Sequence, residues 1–132
     1  MDVDAPEGFW DWLDRIEVKA RGGDEHSRRI LARAVDALKL LRDLPGPPDE
    51  DKPDLKRVRQ LGRYPVWRTA RPFDPGIAFR LICWFPPNSN TVVVALFAGD
   101  KSRIGDVFYN SVGPRADTAI RAWKFQAEEG DQ

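Results

Sequence analysis

The chain has 132 residues, with 21 Lys and Arg against 21 Asp and Glu, so its formal net charge is zero. This length suits one ordinary domain with a core of one sheet and several helices. No apolar run approaches the roughly 20 residues of a membrane-spanning helix, and a single cysteine excludes an internal disulfide. The acidic N-terminus lacks the basic start of a signal peptide, so these features together predict a cytoplasmic protein.

The neutral total conceals an uneven distribution of charge along the chain. Residues 1–53 carry 9 basic and 13 acidic side chains, residues 54–125 carry 12 and 5, and residues 126–132 carry three acidic ones. A polyanion would therefore meet a basic middle segment, although a solvated surface is the commoner meaning of such asymmetry. The acidic flanks argue against a general nucleic-acid binder, which is usually basic throughout.

The acidic first part of the chain predicts a helical hairpin over 6–44 and a loop over 45–53. Apolar residues recur at helical spacing after Pro6, Gly22-Gly23 ends this first helix, and Asp24 is placed to cap the second. Proline and acidic residues dominate the following loop. The apolar stripe of the second helix comprises Ile30, Leu31, Ala34, Val35, Leu38, Leu41 and Leu44.

The basic middle segment predicts antiparallel strands over 63–71, 77–85 and 91–98. Pro65 in the first of them implies an edge position or a bulge, because proline cannot donate to the ladder. The second strand alternates with a period of two, and turn residues precede and follow it. We therefore expect residues 54–98 to form a small twisted antiparallel sheet.

The alternation in the strand over 77–85 predicts what its two faces contact. One face is entirely apolar, and we expect the helices to cover it. Arg80 and Trp84 share the opposite, open face. A guanidinium there needs solvent or a partner, so Arg80 either binds a ligand or pairs with a neighbouring strand or the C-terminal helix.

Lys101, Arg103 and Tyr109 follow the apolar strand over 91–98, where a rigid strand end can position long polar side chains. A helix is expected to begin near 105, and Gly113-Pro114 separates it from a second helical segment that ends near 126. Residues 99–126 thus form a basic turn and C-terminal helices. The expected architecture is a single α+β domain over 1–132: a helical hairpin packed on the sheet, with a C-terminal helix.

This order of elements resembles the RelE/HigB/ParE superfamily of bacterial toxins from toxin–antitoxin pairs. The matching segments read Tyr-Pro-Val-Trp-Arg at 64–68 and Ala-Phe-Arg-Leu-Ile at 78–82. The apolar strand over 93–97 and the basic segment 101–109 follow in the family's order. The aromatic-rich segment 9–13 resembles the opening helix of the HigB-like branch.

The resemblance implies a metal-independent endoribonuclease that cleaves mRNA, often in the ribosomal A site, with an antitoxin protein as partner. Enzymes of this family require no cofactor. Arg80 matches the arginine that holds the scissile phosphate, and Arg103 the one that stabilises or protonates the leaving group. Tyr109 matches the tyrosine that stacks on a nucleotide or positions the 2′-hydroxyl, although a packed helix residue is the alternative. Lys101 falls where the family places further basic residues.

Further residues are candidates for contact with RNA or for proton transfer. Lys56 and Arg57 fall near the lysine pair that precedes the first core strand in RelE, and Arg68 lies in that strand. Trp84 is either a base-stacking platform or a core residue. Lys101 could act as general base only if neighbouring arginines lower its pKa.

A non-catalytic protein on the same fold is the alternative function, either a gyrase-type inhibitor or a partner-binding domain. The neutral net charge and the missing general base favour this alternative, since the only histidine, His26, lies on a predicted helix in the acidic half. The spacing from Arg103 to Tyr109 favours the ribonuclease. The family also opens on a β-strand before its first helix, for which the sequence shows no clear pattern.

Overall fold

The computed structural model describes residues 1–59, 62–69, 79–98 and 112–130. These ranges form an α+β structure with three helices and a five-stranded mixed sheet. The helices are α1 (Glu7–Arg21), α2 (Glu25–Arg42) and α3 (Val112–Gly130). The strands are β1 (Asp2–Asp4), β2 (Leu55–Arg57), β3 (Trp67–Thr69), β4 (Arg80–Trp84) and β5 (Thr91–Ala98). Among these helices, none has the length and apolar character needed to cross a bilayer.

The strands are ordered β1-β5-β4-β3-β2 across the sheet. The pairs from β2 to β5 are antiparallel, as expected, but β1 pairs with β5 in parallel, with Val3 opposite Val92. The prediction of a purely antiparallel sheet was therefore wrong. Both β1 and β2 contain only three residues, which is too short for a periodic pattern to reveal them.

Pro65 has a different role from the predicted one. It lies two residues ahead of β3, so it takes no ladder position, and β3 is an internal strand between β2 and β4. The edge position expected from this proline was wrong, because the unrecognised strand β2 pairs on the other side of β3.

The helical hairpin packs on one face of the sheet, as predicted. α1 and α2 begin and end within two residues of their predicted bounds, and Gly23 between them has a φ of 96° that favours glycine. Phe9 of α1 contacts Phe97 of β5, with ring centroids 5.1 Å apart. The buried residues of this layer include Ile16, Ile30, Ala34, Leu38, Leu41, Trp67, Leu81, Cys83, Val92 and Val94.

The opposite face of the sheet is covered by α3. Ile82 and Trp84 of β4 pack there against Val112, Ala116 and Ile120 of the helix. The expectation of an open face at Trp84 was therefore wrong. The alternating pattern of β4 is apolar on both faces apart from Arg80, and such a strand is buried on both sides.

Three hydrogen bonds show how α3 crosses the strands. Asp117 accepts from the backbone N–H groups of Arg63 at 2.7 Å and Tyr64 at 3.2 Å, just before β3. Further along the helix, the indole Nε1 of Trp123 donates to Asp4 Oδ2 in β1 at 2.8 Å. The helix therefore runs over the sheet from the β3 side to the β1 side. It covers the end of the face that contains Trp84, and Arg80 lies toward the other end.

A β-bulge in β5 changes which side chains face α3. Ile82 pairs with Leu96, whereas the next residue of β4, Cys83, pairs with Val94, so β5 has one extra residue. Ala95 and Leu96 both pack on the α3 side as a result, and Phe97 returns to the side of the helical hairpin. The bulge therefore places Leu96 on the same face as Arg80.

Candidate functional site

Cations on three neighbouring strands share the α3 face of the sheet. Lys56 of β2 pairs directly with Arg68 of β3, which pairs with Ile82 of β4. Arg80 lies two residues before Ile82, so its side chain leaves the same face. All three cationic residues are half-buried. We refer to Lys56, Arg68 and Arg80 as the basic face.

The described parts of the chain contain no acidic partner for the basic face. Neither a salt bridge nor a hydrogen bond to a carboxylate is formed there by Lys56, Arg68 or Arg80. The guanidinium of Arg80 donates from one terminal nitrogen to the carbonyl of Phe79 at 3.0 Å. Its Nε is buried and has no acceptor among the described residues. An anion on this face would therefore supply acceptors and charge that the described residues around it do not provide.

Arg57 is a predicted RNA-contacting residue that lies on the opposite face of the sheet from Lys56 and Arg68. It pairs with Trp67, and its guanidinium lies 6.0 Å from the centroid of that ring on the side of the helical hairpin. Its backbone N–H donates to Asp51 Oδ1 at 2.8 Å. Arg57 is exposed, but it does not belong to the basic face.

Trp84 occupies the core position that was the alternative to a base-stacking role. Its side chain is 6% exposed and makes edge contacts with Tyr64 at 5.2 Å and Trp123 at 6.1 Å between ring centroids. Because α3 covers the ring, a nucleobase cannot stack on it in this arrangement. Trp84 is therefore not among the residues that we propose to contact RNA.

The other predicted catalytic residues, Lys101, Arg103 and Tyr109, lie outside the described residues, as does the helix start expected near 105. β5, the described strand that precedes them in the chain, ends at Ala98, which pairs with Arg80. Their roles stay predictions. His26 is exposed at the start of α2, on the side of the sheet opposite the basic face.

A groove that was not predicted from the sequence lies on the same face of the sheet as the basic face. It has a volume of about 400 Å³ and lies between the end of β5 and one side of α3. Thr118 in its wall donates its hydroxyl hydrogen to the carbonyl of Pro114 at 3.1 Å. The small residues of α3 are the sequence feature that could have indicated a groove, but only the crossing of α3 over β5 creates it. Its lining residues are Leu96, Pro114, Arg115, Thr118, Ala119 and Ala122.

A second cleft, which we call the edge cleft, lies where β1 ends and β5 continues. β1 pairs only with Thr91 to Val93, so the edge of β5 beyond Val93 has no partner strand among the described residues. The cleft has a volume of about 290 Å³, and Phe125, 62% exposed, lies one turn beyond its α3 wall. Its lining is Pro6, Gly8, Phe9, Val94, Ala95, Phe97, Ala119 and Ala122.

Nucleophilic and metal-ligating groups are poorly represented in the described structure. Burial raises the pKa of the Cys83 thiol to about 12, so this thiol is inert at neutral pH. The described ranges contain no group of His, Cys, Asp and Glu side chains that could hold a metal ion. The chemistry best suited to the described surface is the binding of an anion by fixed cations.

Comparison of the chain with family models, with curated proteins and with solved structures gave no match. The similarity to RelE-like toxins therefore depends on the segments at 64–68, 78–82, 93–97 and 101–109, and it stays a prediction.

Proposed function

We propose that this protein is the toxin of a RelE-like toxin–antitoxin pair and cleaves mRNA as a metal-independent endoribonuclease. The observation that carries the proposal is the basic face. Three cations without acidic partners among the described residues lie side by side there, and Arg80 is the residue that the family motif assigns to the scissile phosphate. An RNA backbone presents the anionic groups that such a surface favours.

The proposed reaction is an internal transfer at phosphorus. The 2′-oxygen attacks the adjacent phosphorus and loses its proton, the bond to the 5′-oxygen breaks, and that oxygen gains a proton. The products are a 2′,3′-cyclic phosphate and a 5′-hydroxyl. Arg80 would bind the two non-bridging oxygens, whose charge grows in the transition state, and its half-buried position strengthens this interaction.

Lys56 and Arg68 would bind neighbouring phosphates and so fix the position of the RNA strand along the protein surface. Contacts of this kind position a nucleic acid without selecting a sequence. Arg103 is proposed to neutralise the leaving oxygen, Tyr109 to stack on a nucleotide, and Lys101 to take the proton of the 2′-hydroxyl. These three assignments follow from the resemblance to the family.

One fold feature gives further support to the proposal. The family opens on a β-strand before its first helix, and β1 (Asp2–Asp4) occupies that place in this chain. The strand was missed in the sequence because acidic residues flank its single apolar residue, Val3.

The decisive experiment maps RNA ends after brief induction of the protein in a bacterial host. We expect growth arrest and new 5′ ends in mRNA, and cuts at fixed codon positions would identify cleavage on the ribosome. Arg80→Ala should abolish both effects, whereas Arg57→Ala, an arginine of the other face, should preserve them. Arrest without new RNA ends, or an active Arg80→Ala variant, would contradict the ribonuclease proposal.

An antitoxin is the expected partner, and an acidic segment that covers the basic face would neutralise the toxin. Co-expression of the neighbouring open reading frame should relieve the arrest and yield a complex that copurifies. A neighbouring product that neither binds nor protects would count against a toxin–antitoxin pair.

A non-catalytic interaction protein is the second candidate function, and the edge cleft favours it. An apolar cleft beside a strand edge that no other described strand pairs, together with an exposed phenylalanine, is typical of a surface that binds another protein. Phe125→Asp should then abolish the growth effect, while Arg80→Ala leaves it intact. This pattern is the reverse of the one expected for the ribonuclease.

A further inference from the structure

We infer that the groove between β5 and α3 binds a nucleobase of the RNA whose phosphate lies on the basic face. This inference rests on the proposed function, and it identifies a single-stranded segment as the form of RNA that is bound. A base can enter a side groove only when it is not paired in a duplex.

The relative position of Arg80 and Leu96 supports this inference. They lie on neighbouring strands, and Leu96 pairs with the residue two positions beyond Arg80. Such diagonal neighbours are about 7–8 Å apart between Cα atoms. Both side chains leave the same face, because the bulge at Ala95 turns Leu96 toward α3. A phosphate on Arg80 and a base beside Leu96 can thus belong to the same or adjacent nucleotides.

The lining of the groove suits the flat apolar face of a base. Leu96, Ala119 and Ala122 provide an aliphatic surface, and the ring of Pro114 forms part of the wall. The hydroxyl hydrogen of Thr118 is donated within the helix, so its oxygen remains free to accept from a base N–H group. Arg115 adds positive charge at the lining.

The groove also explains how a neutral chain could retain affinity for RNA. Phosphate contacts weaken steeply with salt, whereas burial of a base against apolar groups is much less sensitive to salt. Stacking or burial of one base contributes about 1–3 kcal/mol. A groove of about 400 Å³ on the same face as the three cations, with Arg80 on the neighbouring strand, therefore combines both contributions on one surface.

The test uses a short single-stranded RNA with 2′-O-methyl groups, which cannot be cleaved, and matched oligonucleotides with one abasic position. Affinity is measured over a range of salt concentrations for four proteins: the unmodified chain, Ala122→Leu, Ala127→Leu and Arg68→Ala. Ala122 is exposed and lines the groove, whereas Ala127 is an exposed alanine of the same helix outside its lining. The two leucine variants thus carry the same substitution and differ in position.

We expect the unmodified chain to bind the intact RNA about tenfold more tightly than the abasic RNA at the best position. Ala122→Leu should abolish this difference and leave the salt dependence unchanged, and Ala127→Leu should retain both. Arg68→Ala should weaken binding to all oligonucleotides and lower the slope of log K against log salt by about 1.

The outcomes separate the two proposals. If the chain binds RNA but ignores the abasic position, or if Ala122→Leu still discriminates, the groove is not a base site and the ribonuclease proposal stands. If no variant binds RNA at low salt, the proposed function fails and the base site with it. If Ala122→Leu leaves RNA binding and base discrimination unchanged and loses only the binding of a protein partner, the surface around Ala122, which lines both the groove and the edge cleft, is a protein interface and the inference is wrong.

Discussion

Arg63 and Asp117 join the loop before β3 to α3 through a 2.7 Å hydrogen bond from backbone N–H to carboxylate. Asp117 is only 8% exposed and also accepts from the N–H of Tyr64. This contact holds α3 in place across the sheet. The position of α3 in turn determines which residues are core and which form the groove and the basic face.

Asp117→Ala should destabilise the fold by about 2–3 kcal/mol, because hydrogen bonds to a charged, buried acceptor are stronger than average and two backbone donors would lose their partner. Urea denaturation measures the change. Asp14→Asn, at an exposed position of α1, is the control and should change the free energy of unfolding by less than about 0.5 kcal/mol. Equal effects of the two variants would show that the hydrogen bonds to Asp117 contribute nothing to stability.

Gly62→Ala should also be destabilising, since a β-carbon at this position would lie 2.6 Å from Asp117 Oδ1 and 2.7 Å from the carbonyl oxygen of Gly113. Backbone atoms would have to move, and α3 with them. Gly46→Ala meets nothing within 4 Å and should be neutral or stabilise the fold by up to about 1 kcal/mol. Thermal unfolding of the two alanine variants provides the comparison, and a Gly62→Ala protein as stable as the parent would contradict the close approach.

Trp123→Phe removes the indole donor to Asp4 and should loosen β1 from the sheet. The expected cost is about 1 kcal/mol, together with faster hydrogen exchange of the β1 amides. Phe125→Leu, an exposed position of the same helix, is the control. Unchanged exchange in β1 after Trp123→Phe would mean that the parallel pairing with β5 holds this strand without the indole.

Lys56→Gln should stabilise the fold and weaken RNA binding at the same time. Lys56 lies directly opposite Arg68, and like charges in this arrangement are destabilising by a few tenths of a kcal/mol. The gain in stability should be greater at low salt than at high salt. Denaturation at two salt concentrations measures it, and a loss of stability would indicate that Lys56 has a partner in the folded state.

Cys83 should make stability decrease at alkaline pH. Its pKa is raised from 9.0 to about 12 by burial, so the unfolded chain loses the thiol proton first and is favoured as pH rises from about 9 to 12. The thiol donates to the carbonyl of Trp67 in the folded state. Cys83→Ala should lack this part of the pH dependence, and the difference between the two unfolding curves isolates it. A thiol that reacts with a disulfide reagent at pH 8 before unfolding would contradict the burial.

The predictions that succeeded are those with a strong local cause. α1, α2 and β5 follow from long apolar patterns with the period of a helix or from a continuous β-branched run, and their bounds agree closely with the structure. α3 was predicted over 114–126 and extends over Val112–Gly130, with Pro114 in its first turn as expected. The strands β1 and β2 were missed because three residues contain too little pattern.

In the candidate site, too, the features with a local cause were predicted and those that depend on strand pairing were not. Alternation along β4 predicted that the Arg80 side chain projects from the face opposite the helical hairpin. The structure confirms this prediction. The register between strands decided which other cations share the face of Arg80: Lys56 and Arg68 do, whereas Arg57 does not. A shift by one residue would exchange Lys56 and Arg57, and no single-strand pattern specifies that register.

The sequence by itself therefore determined the helical hairpin, the central strands and the outward direction of Arg80, because each depends on neighbours a few residues away. Only the tertiary structure decided that α3 buries Trp84, that a bulge turns Leu96 to the face of the sheet that contains Arg80, and that a groove opens on that face. These features arise from contacts between residues far apart in the chain, such as Asp117 with Arg63 and Trp123 with Asp4. Their geometry is specified when the layers pack, and local propensity does not contain it.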